Sequence, residues 1–394
     1  MKYNFDEIID RNGTNSVKWD MLPNRAPPDI LPLWVADMDF GCPEPVLAEL
    51  HKRIERKIFG YTVCDNDRIK NAVCSWFKKR HGWDIDKSCI FFSPGIVTAF
   101  SLLITALTEE GDGIIIQKPV YNPFTGRVEA NRRIVANNAL VRQGSSYVMD
   151  FEDLEKKFAD PNNKGMIFCS PHNPVGRVWT EEELLKLTGI AKKYDKWIIS
   201  DEIHCDLARP GKKHIPLLKA APEYSGRIIS CTAPSKTFNL AGLQFSNLII
   251  PNKDYQKKWT DITCKKTALC DGCNPLSMEA AIAAYNEGEE WLDQALEYID
   301  ANFRYTVEFL KNNLPKASLI DCEGTYLAWV DLKAYCADPK RLKDILINNA
   351  RIFVNQGYVF GEDGAGFVRI NLATPRQNVV ECMERMKMAL LAIA

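Results

Sequence analysis

Lys236 stands in Ser230-Cys231-Thr232-Ala233-Pro234-Ser235-Lys236-Thr237-Phe238-Asn239, after an apolar run and ahead of Leu240-Ala241-Gly242-Leu243. Most lysines are solvated. One shielded between small hydroxyl residues and an apolar stretch loses its charge readily and can form a Schiff base. Asp201 ends a second apolar run, Ile199-Ser200-Asp201-Glu202-Ile203-His204. Alone it reads as a helix cap or an ion-pair partner. Its chemical reading is a carboxylate that keeps a ring nitrogen protonated. His204 reads alone as a packed core histidine. Ser93-Pro94-Gly95-Ile96-Val97-Thr98-Ala99 is a strand–loop–helix junction, where free N–H groups with a helix dipole behind them suit a phosphate. Asn173-Pro174-Val175-Gly176 reads as a turn. Arg369, inside Gly366-Phe367-Val368-Arg369-Ile370-Asn371, is an arginine in an apolar strand and needs a carboxylate, internal or from a substrate.

These residues need elements to bring them together. Gly113-Ile114-Ile115-Ile116-Gln117, Met166-Ile167-Phe168-Cys169, Trp197-Ile198-Ile199-Ser200, Arg227-Ile228-Ile229-Ser230 and Asn247-Leu248-Ile249-Ile250 read as strands covered on both faces. Between them, Ile96, Phe100, Leu103, Ile104 and Leu107 recur at helical spacing ahead of Gly111. Thr180 and Glu183 form a capping box before Leu184, Leu187, Ala191 and Tyr194. The alternation predicts an α/β domain over residues 46–285, a mostly parallel sheet covered by helices. Residues 1–45, rich in Pro and Asn, read as an arm. With 286–394 they are expected to build a smaller α+β domain, including strands at Tyr326-Leu327-Ala328-Trp329-Val330 and Phe367–Ile370. In a parallel sheet the carboxyl ends of the strands line one crevice. The glycine turn, Tyr121, Asn-Pro-x-Gly, Asp-x-x-His, Ser-Lys and Arg369 are therefore expected to converge, as a pyridoxal phosphate site requires.

Composition narrows the class. The 394 residues carry 50 Lys+Arg against 51 Asp+Glu, a net charge of −1, which excludes a strongly basic surface for nucleic acid. Apolar residues at 46% and charged residues at 26% describe an ordinary globular chain rather than a disordered one. The polar, acidic start reads as no secretory signal, and no apolar run approaches a membrane span. The 13 cysteines, an odd number in apolar surroundings, read as free buried thiols of a reducing cytosol, so a cytoplasmic location is expected. Cys270-Asp271-Gly272-Cys273 has the spacing of half a zinc site without a second pair, and no metal is expected.

Taken together, the motifs resemble the fold-type I pyridoxal phosphate enzymes of the aspartate aminotransferase superfamily, within them the MalY/PatB branch of cystathionine β-lyases. The resemblance rests on Pro32-Leu33-Trp34-Val35-Ala36-Asp37-Met38-Asp39-Phe40, Phe59-Gly60-Tyr61-Thr62, Lys118-Pro119-Val120-Tyr121-Asn122-Pro123-Phe124, Ser200–His204 and Ser235–Gln244. It implies that Lys236 binds the cofactor aldehyde and shuttles protons, and that Asp201 pairs with the ring nitrogen. Tyr121 would stack on the ring, with Asn173 on the ring oxygen and His204 nearby. Gly95, Ile96, Ser235 and Thr232 would meet the phosphate. Tyr61 would reach the neighbouring subunit's phosphate, which implies a homodimer with shared sites and a catalytic role for Tyr61 beside Lys236 and Tyr121. Arg369, Asn173 and the backbone near Ala36 would bind the α-carboxylate of an amino-acid substrate.

Three positions depart from the aminotransferase pattern. Ala233 stands where Ser or Thr is usual, Gln244 where Arg is usual, and His204 where Tyr is usual. The expected reaction is α,β-elimination on an L-cysteine S-conjugate such as cystathionine. The alternatives are an aminotransferase or a regulatory protein that docks a transcription factor.

Overall fold

The structure, a computed structural model, describes residues 2–23, 26–267, 269 and 273–393. Seven strands form the larger sheet: β1 (Ile90–Ser93), β2 (Gly113–Ile116), β3 (Ile134–Asn137), β4 (Asn163–Cys169), β5 (Trp197–Asp201), β6 (Ile228–Thr232) and β7 (Ser246–Ile249). Their spatial order is β1-β7-β6-β5-β4-β2-β3. Pairing is parallel from β6 through β5, β4 and β2 to β3. Strand β7 is antiparallel to both β6 and β1, so it alone runs against the others.

The apolar runs lack polar alternation because both faces of the sheet are covered. Ile115, Met166, Phe168, Ile198, Ile228 and Ile249 enter one core. Their chain neighbours Ile114, Ile116, Ile167, Ile199, Ile229 and Leu248 enter another on the opposite face. Each such buried side chain contributes about 1.5–3 kcal/mol.

Helices close both faces. The helix Ile96–Leu107 buries Ile96, Ala99, Phe100, Leu103 and Ile104. It ends at Thr108 rather than at Gly111, which instead takes a left-handed φ of 88° in the turn before β2. The capping box at Thr180 and Glu183 is present and starts the helix Glu181–Lys193.

The C-terminal part of the chain builds a second sheet. Strands β8 (Ser318–Leu319), β9 (Leu327–Asp331), β10 (Asn355–Gln356) and β11 (Phe367–Asn371) lie in the antiparallel order β8-β9-β11-β10. The arm joins this region through Leu31–Pro32, which pairs in parallel with Ile352–Phe353. Ion pairs pin the arm. The fully buried Lys18 donates to Asp39 at 2.5 Å, and Arg11 reaches Asp37 at 2.7 Å and Asp39 at 2.8 Å. Together they fix the segment 34–39, which forms part of the site below.

The expectation of uniformly free, buried thiols does not hold. Cys64 and Cys273 form a disulfide across 209 residues of chain, and Cys42, Cys74, Cys89 and Cys264 are only partly buried. A pairing that long in sequence carries no spacing signal. Cys270 of the half zinc motif lies outside the described residues, and Cys273 is engaged with Cys64. Among the described residues, no helix is long and apolar enough to cross a membrane.

Candidate active site

A cavity of about 690 Å³ opens at the carboxyl ends of β1, β4, β5 and β6. Each of those strands feeds a turn that carries one lining group: Gly95 after β1, Asn173 after β4, Asp201 at the end of β5, and Lys236 after β6. The reversed β7 presents its amino end there instead, which is why Gln244 and Phe245 also line the cavity.

Ten of the residues picked from the sequence meet at this cavity: Ala36, Gly95, Ile96, Tyr121, Asn173, Asp201, His204, Ser235, Lys236 and Arg369. Two do not. The Thr232 hydroxyl is fully buried in the sheet, where it accepts a hydrogen bond from Asn247 at 3.2 Å across the β6–β7 ladder. Placing Thr232 among phosphate contacts is therefore corrected: the alternation of the strand turns it into the core. Tyr61 lies outside this cavity and is fully exposed.

Lys236 projects from the short helix Pro234–Thr237, half-buried, and its amine donates to the Ala36 carbonyl. Burial lowers its pKa to about 8 against the pull of Asp37 and Asp201, so a large fraction is neutral just above pH 8. Asp201 accepts from the Ile203 N–H at 3.2 Å and makes no ion pair among the described residues. Burial, with Glu202 adding repulsion, raises its pKa to about 7. Burial holds the His204 imidazole neutral, its pKa lowered to about 3, and its Nδ1 has no hydrogen-bond partner.

The guanidinium of Arg369 is buried beside Phe360, its Cζ 4.8 Å from the ring centre. It donates to Asn173 Oδ1 at 3.0 Å, Asn355 Oδ1 at 2.6 Å and the Trp34 carbonyl at 2.9 Å. Burial lowers its pKa to about 10, so it stays charged at neutral pH, with no carboxylate partner among the described residues. Gly95 has a φ of 119° and caps the helix Ile96–Leu107 with no side-chain bond, leaving the first N–H groups free toward the cavity. A Cβ at Gly95 would meet nothing within 4 Å, so it is the backbone conformation that calls for glycine there.

The sequence profile of the family described as "Aminotransferase class I and II" matches residues 28–386. Cystathionine beta-lyase PatB of Bacillus subtilis is 40% identical over 388 residues, covering 98% of this chain and all of the relative. Protein MalY of Escherichia coli is 32% identical and covers 96% of each chain. The chain belongs to the class I and II aminotransferase family, in the branch that holds PatB and MalY. Among solved structures, cystalysin from Treponema denticola, described as containing a pyridoxal 5'-phosphate cofactor, superposes with a TM-score of 0.96 at 38% identity over the full length of both chains.

Several residues that position the walls of this cavity gave no individual signal in the sequence. The Tyr326 hydroxyl donates to the Ala36 carbonyl at 2.8 Å, the same acceptor that Lys236 uses. Asn371 donates to the Val35 carbonyl at 2.7 Å, and Asn239 clamps the backbone of Met38 and Phe40. These side chains hold the 34–40 segment over the cavity. Only Asn371 had a possible cue, two residues after Arg369 and so on the same face of β11.

Proposed function

We propose that the protein is a pyridoxal phosphate-dependent carbon–sulfur lyase acting on L-cystathionine or related L-cysteine S-conjugates. The products are pyruvate, ammonia and a thiol. The observation that carries this reading is one cavity that holds a lysine of lowered pKa together with a buried carboxylate and a buried guanidinium, neither in an ion pair among the described residues.

The residues fit that cofactor. Asp201 is a buried acceptor with no ion pair among the described residues, suited to a protonated ring nitrogen. The unpartnered His204 Nδ1 and the Asn173 amide are polar groups at the same wall. The bare helix start at Gly95 and Ile96, with Ser235, would hold the phosphate, and Tyr121 would cover the ring. When bound, pyridoxal phosphate supplies a sink for the electron pair left as the substrate Cα loses its proton.

The chain's own groups do the rest. Arg369 and Asn173 grip the substrate carboxylate near the Ala36 backbone. Lys236, neutral once freed, takes the Cα proton. The departing sulfur receives a proton from Lys236, from Tyr121 or from Tyr61 of the partner subunit. In this reading residues 46–285 hold the cofactor, while 1–45 with 286–394 supply Arg369.

A homodimer is supported by the apolar run Ile54, Ile58, Phe59, Tyr61 and Val63, all exposed along one segment of this chain. The cytoplasmic reading is supported by ten free cysteines among the described residues.

The lyase reading over aminotransfer is supported by the names of the relatives and by Gln244 and His204 standing in place of Arg and Tyr. With cystathionine and cofactor, lactate dehydrogenase should record pyruvate formation that needs no added 2-oxo acid. Amino transfer to a 2-oxo acid without pyruvate release would overturn the lyase assignment. Arg369→Ala should lower kcat/KM roughly 30- to 5,000-fold, the equivalent of about 2–5 kcal/mol, mainly through KM, because it removes a buried charge-assisted fork. Equal KM in wild type and variant would remove Arg369 from carboxylate binding.

A further inference from the structure

The Cys64–Cys273 disulfide, with Cα atoms 5.7 Å apart, ties together two distant segments at the margin of the first core, against which both cysteines pack only partly buried. Cys64 ends the exposed stretch that carries Tyr61, and Cys273 leads into the helix Pro275–Glu287. The Cys273 N–H also donates to the Thr62 carbonyl at 3.1 Å, so the bond sits where the two segments already pair.

Both cysteines line a second cavity, of about 540 Å³, and Cys264 lines it too. Pro94, Gln244 and Phe245 line this cavity and the candidate active site alike. A disulfide reachable from an open cavity is the exchangeable kind, because an attacking thiolate must approach one sulfur along the S–S axis. A thiol leaving the neighbouring site has one shared wall between it and that disulfide.

We propose that Cys64–Cys273 is a thiol–disulfide exchange site for small thiols of the class that carbon–sulfur cleavage releases. The source of the thiol rests on the lyase reading above; the exchange chemistry does not. In the first step a thiolate attacks one sulfur, forming a mixed disulfide and expelling the other cysteine as a thiolate, which takes up a proton. In the second, another thiol attacks the mixed disulfide and leaves as a small symmetric disulfide, freeing the second cysteine. Two small thiols are oxidised and one protein disulfide is reduced, so electrons balance. Opening the link releases the Tyr61 stretch from Cys273. The accumulating product would thereby loosen the segment that the dimer reading assigns to the partner's site.

The test uses holoenzyme purified without reductant and 2-mercaptoethanol as the probe. Before the thiol is added, alkylation of the native protein should leave Cys64 and Cys273 unlabelled, and a non-reducing digest should show them in one cross-linked peptide. Mild 2-mercaptoethanol should make both reactive while fully buried cysteines such as Cys382 stay protected. Limited trypsin cleavage at Arg56 or Lys57 should then accelerate several-fold, and Cys64→Ser should show the faster rate with or without the thiol.

Alkylation of both cysteines before the thiol is added would overturn the proposal. So would a link that opens only after unfolding, or a cleavage rate unchanged by opening. Because the thiol is added rather than made, the outcomes separate. Exchange without pyruvate formation defeats the lyase reading alone, and pyruvate formation with a resistant link defeats the exchange site alone.

Discussion

Lys236→Ala should abolish turnover, by about 10⁴-fold or more, because in the proposed reaction this amine both holds the cofactor aldehyde and takes the Cα proton. The fold should survive. Lys236 sits on a four-residue helix whose next residue, Thr237, is anchored separately by its hydroxyl donating to Asp206 at 2.8 Å. Without cofactor, the variant should even be more stable than the wild type at pH 7. Folding lowers the lysine pKa from 10.5 to about 8, so between those values the unfolded chain binds more protons and stability rises with pH. Below pH 8 the folded state carries the full cost of a buried ammonium, on the order of a few kcal/mol, and alanine removes it. Thermal unfolding of cofactor-free wild type and variant at pH 7 and pH 10 checks this. A variant with the lower Tm at pH 7 would mean that the amine is stabilised rather than strained.

Asp201→Asn should cost about 10²–10³-fold in turnover by removing the charge that keeps the cofactor ring protonated. Its effect on the cofactor-free protein has the opposite sign. Folding raises the Asp201 pKa from 3.8 to about 7, so the folded state binds the extra proton across that window and stability falls as pH rises through it. At pH 8 the wild type buries an ionised carboxylate without a partner, and asparagine relieves that penalty. Cofactor-free Asp201→Asn should therefore melt higher than wild type at pH 8 and nearly equal to it at pH 4. Added pyridoxal phosphate should raise the wild-type Tm more than the variant's. An equal rise in both would detach Asp201 from cofactor binding.

The two residues share a pattern: each is uncomfortable in the folded chain alone, and each becomes comfortable beside one ligand. That pattern was legible in the sequence only as position. Lys236 and Asp201 both follow apolar strand runs, and the parallel order of those strands brought them to one crevice. Direction was harder to read. Strand β7 looks like the others in composition, yet it is reversed, because the link from β6 holds only short turns and Gln244 at a left-handed φ of 52°. Strand β3 at the sheet edge is only partly covered, so its run was too weakly apolar to stand out.

Side-chain direction set the other limits. Thr232 lies at the right strand end, but the pleat turns its hydroxyl inward toward Asn247. Tyr326, Asn239 and Asn371 act through the backbone of residues 35–40, between 199 and 336 positions away, and no local pattern marks such contacts. The Cys64–Cys273 pair was missed for the same reason.

The most direct measurement is borohydride reduction of the protein loaded with pyridoxal phosphate, followed by peptide mapping. The cofactor should be fixed to one residue, Lys236, with loss of the visible absorbance. A protein that binds no pyridoxal phosphate, or that carries the reduced cofactor on another lysine while Lys236 stays free, would contradict the assignment of this cavity as the catalytic site.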